Sequence, residues 1–166
     1  MDPFFAWIEG TALSVWVRES PSLWAFPFIL ILHAVGMGFL MGANVAVDLR
    51  VLGFAPRVPL SVMERFFPIM WFGFVVNAVS GFILLAGYPT KALTSPLFYV
   101  KLLLIALALL HTRWIRDHAL RDASLEHRGA PAKIRMAAVS SIVFWAGAVT
   151  SGRLLAYTYT RLMVDG

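Results

Sequence analysis

The sequence predicts an all-α fold: an integral membrane four-helix bundle with a short N-terminal interfacial helix. Three observations predict it. Of 166 residues, 60% are hydrophobic and only 14% charged, with a mean hydropathy of +0.77. A soluble domain of this size carries about a quarter charged residues, so much of this surface is not made for water. Four apolar stretches come close to or exceed the roughly 20 helical residues needed to cross the hydrocarbon core. None of the four alternates in polarity with period two, as a half-buried strand would. The length fits a single domain spanning 1–166.

The elements follow in order. Residues 3–18 are apolar but contain Glu9, and Arg18–Glu19 follow. Phe4, Phe5, Ile8, Ala12 and Trp16 share roughly one helical face. This pattern predicts a helix lying on the membrane rather than a fifth span. The first span is predicted over 22–49, introduced by Ser20–Pro21, a capping serine followed by proline at the first helical position. The second span is predicted over 66–88. The third, over 96–115, is introduced by Ser95–Pro96 in the same way. A charged loop over 116–135 contains the breaker Gly129–Ala130–Pro131, and the fourth span follows over 136–160.

Lys and Arg set the orientation. Arg50, Arg57, Arg65, Arg113, Arg116, Arg121, Arg128, Lys133 and Arg135 flank the two long connections. Only Arg18, Lys91 and Arg161 lie on the other side. Cytoplasmic loops carry the basic excess, so both termini are expected outside, in the periplasm of a bacterial inner membrane. The net charge of +5 is therefore read as topology. No basic stripe coincides with a soluble fold, and nucleic acid is not an expected partner. The start Met1–Asp2–Pro3–Phe4–Phe5 lacks a basic n-region and a small-residue cleavage site, so no cleaved signal is expected.

Cysteine is absent. This excludes disulfides, thiolate metal sites, iron–sulfur clusters and thioether-linked haem. Met37, Met41 and Met70 read as core fillers rather than copper ligands. No nucleophile–base arrangement, metalloprotease motif or phosphate loop occurs, so catalysis by this chain alone is not expected.

His33, Lys101 and Arg153 are embedded in apolar spans. Intramembrane ionisable residues are costly and usually face a protein interior. At about 100° per residue, His33, Met37, Asn44 and Asp48 share one face of the first span. Gly36, Gly38 and Gly42 flank it, and Gly38–x–x–x–Gly42 has the spacing that permits close helix approach. Met70, Gly73, Asn77, Gly81 and Tyr88 share a face of the second span; Ala146, Val149, Arg153, Tyr157 and Thr160 share one of the fourth. Such stripes are expected if the helices surround a common interior. The competing reading is that His33 and Asn44 are hydrogen-bonding glue between helices and that both cations snorkel outward. Snorkelling is easier for Lys101 than for Arg153, which lies beside Ser151 and Gly152.

Lys101, Arg153 and His33 all count to the outer half, where no Asp or Glu is available to neutralise them. An anionic ligand is the expected counter-charge: haem propionates, a lipid phosphate or a small anion. Haem b gives this its sharpest form, because a helix bundle holds it by axial imidazoles at matched depth. His33 and His111 are the histidines within spans and the candidate ligands to iron. They lie 12 and 15 residues past Pro21 and Pro96, a mismatch of about 4.5 Å. Lys101 and Arg153 would meet the propionates, with Asn77 and Tyr157 lining the site. If the mismatch is larger, His33 alone would ligate the iron and His111 would be interfacial. His118 and His127 fall in the charged loop.

The runs His33–Ala–Val–Gly–Met–Gly38 and Val47–Asp–Leu–Arg–Val–Leu–Gly53, with Pro96–Leu–Phe–Tyr–Val–Lys101, Trp145 and Gly152–Arg–Leu–Leu–Ala–Tyr157, run through most of the chain. In these the sequence resembles a widespread family of small uncharacterised bacterial four-helix inner-membrane proteins. That resemblance singles out His33, Arg50, Lys101 and Arg153. More distantly, in layout and histidine placement, the chain is similar to four-helix cytochrome b anchors and the membrane part of copper-resistance proteins. The first functional expectation is a membrane-embedded b-type haem protein for electron transfer or redox sensing, served by a redox partner. The alternatives are an accessory or scaffold subunit of a larger membrane complex, homo-oligomeric or bound to other chains, and a small-anion carrier with Lys101 and Arg153 as its selectivity charges.

Overall fold

A computed structural model of the chain describes residues 3–122 and 125–164, all of its regular structure helical. Four helical stretches are long and apolar enough to cross a membrane: Phe26–Val51, Leu60–Gly87, Pro96–Leu120 and Ala132–Leu155.

The segment predicted as one interfacial helix is two, α1 (Pro3–Glu9) and α2 (Ala12–Glu19). Thr11 explains the break. Its hydroxyl donates back to the Ile8 carbonyl (2.7 Å) and accepts the Ser14 N–H (3.4 Å), closing one helix and capping the next. Ser20 then ends α2 instead of opening the first span, its N–H bonding to the Trp16 carbonyl. The chain turns through residues 21–25, and α3 (Phe26–Val51) starts four residues later than 22, with Pro27 in its first turn.

After α3 the chain turns at Gly53, whose φ of 103° suits glycine. A 3₁₀ segment, Leu60–Arg65, leads into α4 (Phe66–Gly87). A short helix α5 (Pro89–Leu93) precedes α6 (Pro96–Ile115), where Pro96 occupies the first turn. The predicted 116–135 loop is largely helical. Arg116–Leu120 extends α6 as a π turn, Leu125–Arg128 forms α7, and α8 (Ala132–Val164) begins four residues before 136. Gly129, with φ 73°, and Pro131 make the predicted break.

α3 packs along α4 and α6 along α8, and α8 also touches α3. Glycine sets the first pairing. A Cβ on Gly36 would lie 2.7 Å from the Asn77 nitrogen, and one on Gly73 2.6 Å from the Leu40 nitrogen. Gly38 and Gly42, the spaced pair picked out by sequence, have nothing within 4 Å of an added Cβ. The apolar core lies toward the end bearing Val51 and Phe67. It includes Leu40, Val47, Phe67, Met70, Ile115, Ala138 and Trp145. Large apolar side chains such as Phe72, Phe82, Leu103, Leu110 and Val143 are exposed around the outside.

The two ends are tied differently. At one, Arg18 donates to the Gly87 and Glu9 carbonyls (3.4 and 2.9 Å) and to Ser14 Oγ (3.1 Å), docking α1 and α2 on the end of α4. At the other, both Glu126 carboxylate oxygens accept the Leu60 N–H (3.0 and 3.2 Å), and Arg50 pairs with Glu126 at 3.4 Å. Arg50 Nε also donates to the Val58 carbonyl. This holds α7 against the connection between α3 and α4.

Candidate functional site

His33 lies two turns into α3, on the side facing α4 and α6. Its Nδ1 is 3.0 Å from the Asn77 carbonyl oxygen and 3.2 Å from Ser80 Oγ. Its Nε2 is 3.3 Å from Lys101 Nζ on α6. These contacts fix the tautomer. A carbonyl only accepts and an ammonium only donates, so Nδ1 carries the proton and the Nε2 lone pair faces Lys101. Asn77 also donates through Nδ2 to the His33 carbonyl at 2.8 Å, linking α3 and α4 twice at this level. Ser80 donates to the Val76 carbonyl at 2.6 Å. Gly81 leaves room for the ring, since a Cβ there would lie 3.1 Å from His33 Cε1.

Lys101 turns inward. Its Nζ and Cε lie 3.6 Å from where a Cβ on Gly152 would stand, so the chain crosses from α6 along α8 toward α3. Lys101 forms no ion pair with a carboxylate among the described residues. Arg153 and Tyr157 are exposed on the outer face of α8 and do not join this site. The two cations thus reverse the expected roles: Lys101 points in and Arg153 out. Of the stripe expected on the fourth span, Ala146 and Val149 are exposed as well. The side chains of Thr160, Arg161 and His127 lie outside the described residues.

His111 is not brought to His33. Its Nδ1 bonds to the Leu107 carbonyl at 2.9 Å, and its ring stands edge-on to Phe144 at 5.1 Å. The neighbouring Thr112 donates to Asn44 Oδ1, which places His111 at the depth of Asn44. Asn44 is 11 residues beyond His33, or about 16 Å along the helix. The pair cannot both ligate one iron in this arrangement. The smaller mismatch came from counting from Pro21, whereas α3 begins at Phe26.

Two contributors escaped the sequence reading. Ser80 had a usable signal, because it follows Asn77 by three residues and so shares its face. Thr112 had none, since a lone threonine near a helix end is common. Among the described residues no group of three or more His, Asp or Glu side chains is placed to hold a metal ion. Against family models, curated proteins and solved structures the chain finds no match.

The residues fit haem only in part, since His33 Nε2, the atom that would meet iron, faces Lys101 Nζ at 3.3 Å. His33 has the form of an axial ligand: metal-bound histidines donate their other ring N–H to a carbonyl or carboxylate, which fixes the ring and raises ligand basicity. His33 donates to Asn77 in that way. His111 does not fit as its partner.

Proposed function

We propose that the chain is a multi-pass protein of the bacterial inner membrane, its four spans bundled and both termini outside, that binds b-type haem through His33 alone. One observation carries this reading. Nδ1–H is committed to the Asn77 carbonyl, which leaves Nε2 as the ligating atom once the Lys101 ammonium, 3.3 Å away, swings aside. Lys101 reaches this space beside His33 without a carboxylate partner among the described residues, and would offer its positive charge to an anionic group such as a haem propionate.

Bound haem would supply one-electron chemistry, for electron transfer to a partner or for redox sensing. The residues of this chain bind and orient. Asn77 and Ser80 hold the imidazole, and Gly81 admits its ring. The Lys101 chain lies alongside Gly152. The resemblance to four-helix cytochrome b anchors supports the same reading by analogy.

The test is a reduced-minus-oxidised spectrum of protein purified from haem-replete cells. A Soret band is expected, lost in His33→Ala and kept in His111→Ala. Absence of the band from the unmodified protein removes the haem reading and favours an accessory subunit of a membrane complex.

A further inference from the structure

The connection after α3 folds back against the helix it leaves. Gly53 (φ 103°) and Ala55 (φ 49°) reverse the chain. Arg50 then gathers it, Nε donating to the Val58 carbonyl and Nη2 to that of Pro56 at 3.4 Å. The fold-back leaves a groove of about 260 Å³ between the last turns of α3 and the 3₁₀ segment. Ala46, Leu49, Phe54, Val58 and Met63 line it together with Arg50. Phe54 is 62% exposed.

Depth limits what can fill this groove. α3 has 26 residues, about 39 Å of helix, against a hydrocarbon core of about 30 Å. Arg50 and Arg57 mark its last turns as the end that reaches the boundary between acyl chains and headgroups. A buried water needs two to four polar partners. A groove walled almost wholly by carbon at that depth takes hydrocarbon instead.

Charge selects the headgroup. Arg57 is exposed and stands next to Val58 in the chain. Arg57, Arg65, Arg113 and Arg135, all on or beside the connections at this end, belong to no ion pair among the described residues. The carboxylates of Glu64, Asp117 and Glu126 are each paired with an arginine. Unbalanced cations at a bilayer surface attract anionic lipid. A second groove of about 260 Å³ provides the contrast. It lies between α3 and α4, lined by Ile29, Leu32, Val75, Val79, Ser80 and Ile83, and no charged residue borders it.

We propose that the groove at the end of α3 is a binding site for one anionic phospholipid, with an acyl chain along Ala46, Leu49 and Met63 and the phosphate at Arg57. The site rests on the reading that the chain crosses the membrane and is independent of haem.

Photolabelling of the full chain in phosphatidylcholine nanodiscs tests this. Two probes, phosphatidylglycerol and phosphatidylcholine, each carry a diazirine in one acyl chain and are added separately in trace amounts. Labelled peptides are then mapped. The phosphatidylglycerol probe should label 46–63 about fivefold more than the phosphatidylcholine probe, the preference that one arginine beside a headgroup gives. The two probes should label 75–83 equally. Arg57→Gln should bring the ratio at 46–63 toward one, and Ala46→Phe, which fills the groove, should remove the label there. The unmodified chain decides the matter even if a variant fails to fold. Label on 75–83 with none on 46–63 overturns the proposal and leaves the membrane reading standing. No label on either segment overturns both. Equal labelling of 46–63 by the two probes overturns the anionic class, and a ratio unmoved by Arg57→Gln overturns Arg57 as the phosphate contact.

Discussion

Gly36 and Gly73 fix the separation of α3 and α4, because a methyl group on either would meet the backbone of the other helix. Gly36→Ala should therefore cost about 1–3 kcal/mol through overpacking. Gly38→Ala, with open space around it, should stay within about 0.5 kcal/mol. Thermal unfolding of both variants in one detergent checks the contrast; equal midpoints would refute the assigned contact. The sequence offered both glycines but not the choice between them. Small-residue spacing tells which faces can approach and not which do. The same holds for the cations. His33, Lys101 and Asn77 were legible as polar residues in apolar runs, where burial must be compensated. The opposite directions of Lys101 and Arg153 were not. A helix that is apolar all round has no polar face to mark its exposed side, so inside and outside are decided by which neighbour it meets.

The four long helices are legible because length and hydropathy act over many residues and tolerate local error. Their ends depend on single side chains. Ser20–Pro21 and Ser95–Pro96 look alike, yet only the second opens a long helix. Ser20 is taken by the end of α2, an element whose separate existence depends on Thr11. That displacement of α3 by about one turn undid the depth match between His33 and His111. The docking of α2 rests in turn on Arg18, a cation at the C-terminal end of α4, where the helix dipole favours positive charge. Arg18→Ala removes its bonds to Gly87, Ser14 and Glu9. Amide hydrogen exchange across 3–19 should then accelerate about tenfold or more, equivalent to about 1.4 kcal/mol, while exchange within α6 and α8 stays unchanged. Equal acceleration everywhere would mean that Arg18 supports the whole molecule rather than this element.

Two polar levels describe the molecule as a whole, His33–Lys101 near one end and Asn44–Thr112 within the apolar core, and their meaning depends on which level faces out. The distribution of Lys and Arg predicts that the His33–Lys101 level lies toward the outside. Four spans, an even number, put Glu19 and the N-terminal helices on the side of the C-terminus, and put Arg121 on the other. The chain has no cysteine, so single substitutions give unambiguous labels. Glu19 is exposed, its side chain 66% accessible, and Arg121 is 59% accessible in a surface pair with Asp117. Neither carries the packing. In intact spheroplasts a membrane-impermeant maleimide should label Glu19→Cys and spare Arg121→Cys until the membrane is opened. The reverse pattern would invert the molecule and place His33 and Lys101 near the cytoplasm. Labelling of both before permeabilisation would refute a chain that crosses the membrane between them. With the expected pattern, His33 and Lys101 lie in the outer half of the membrane, where a haem held there, as proposed, would be within reach of an electron-transfer partner outside.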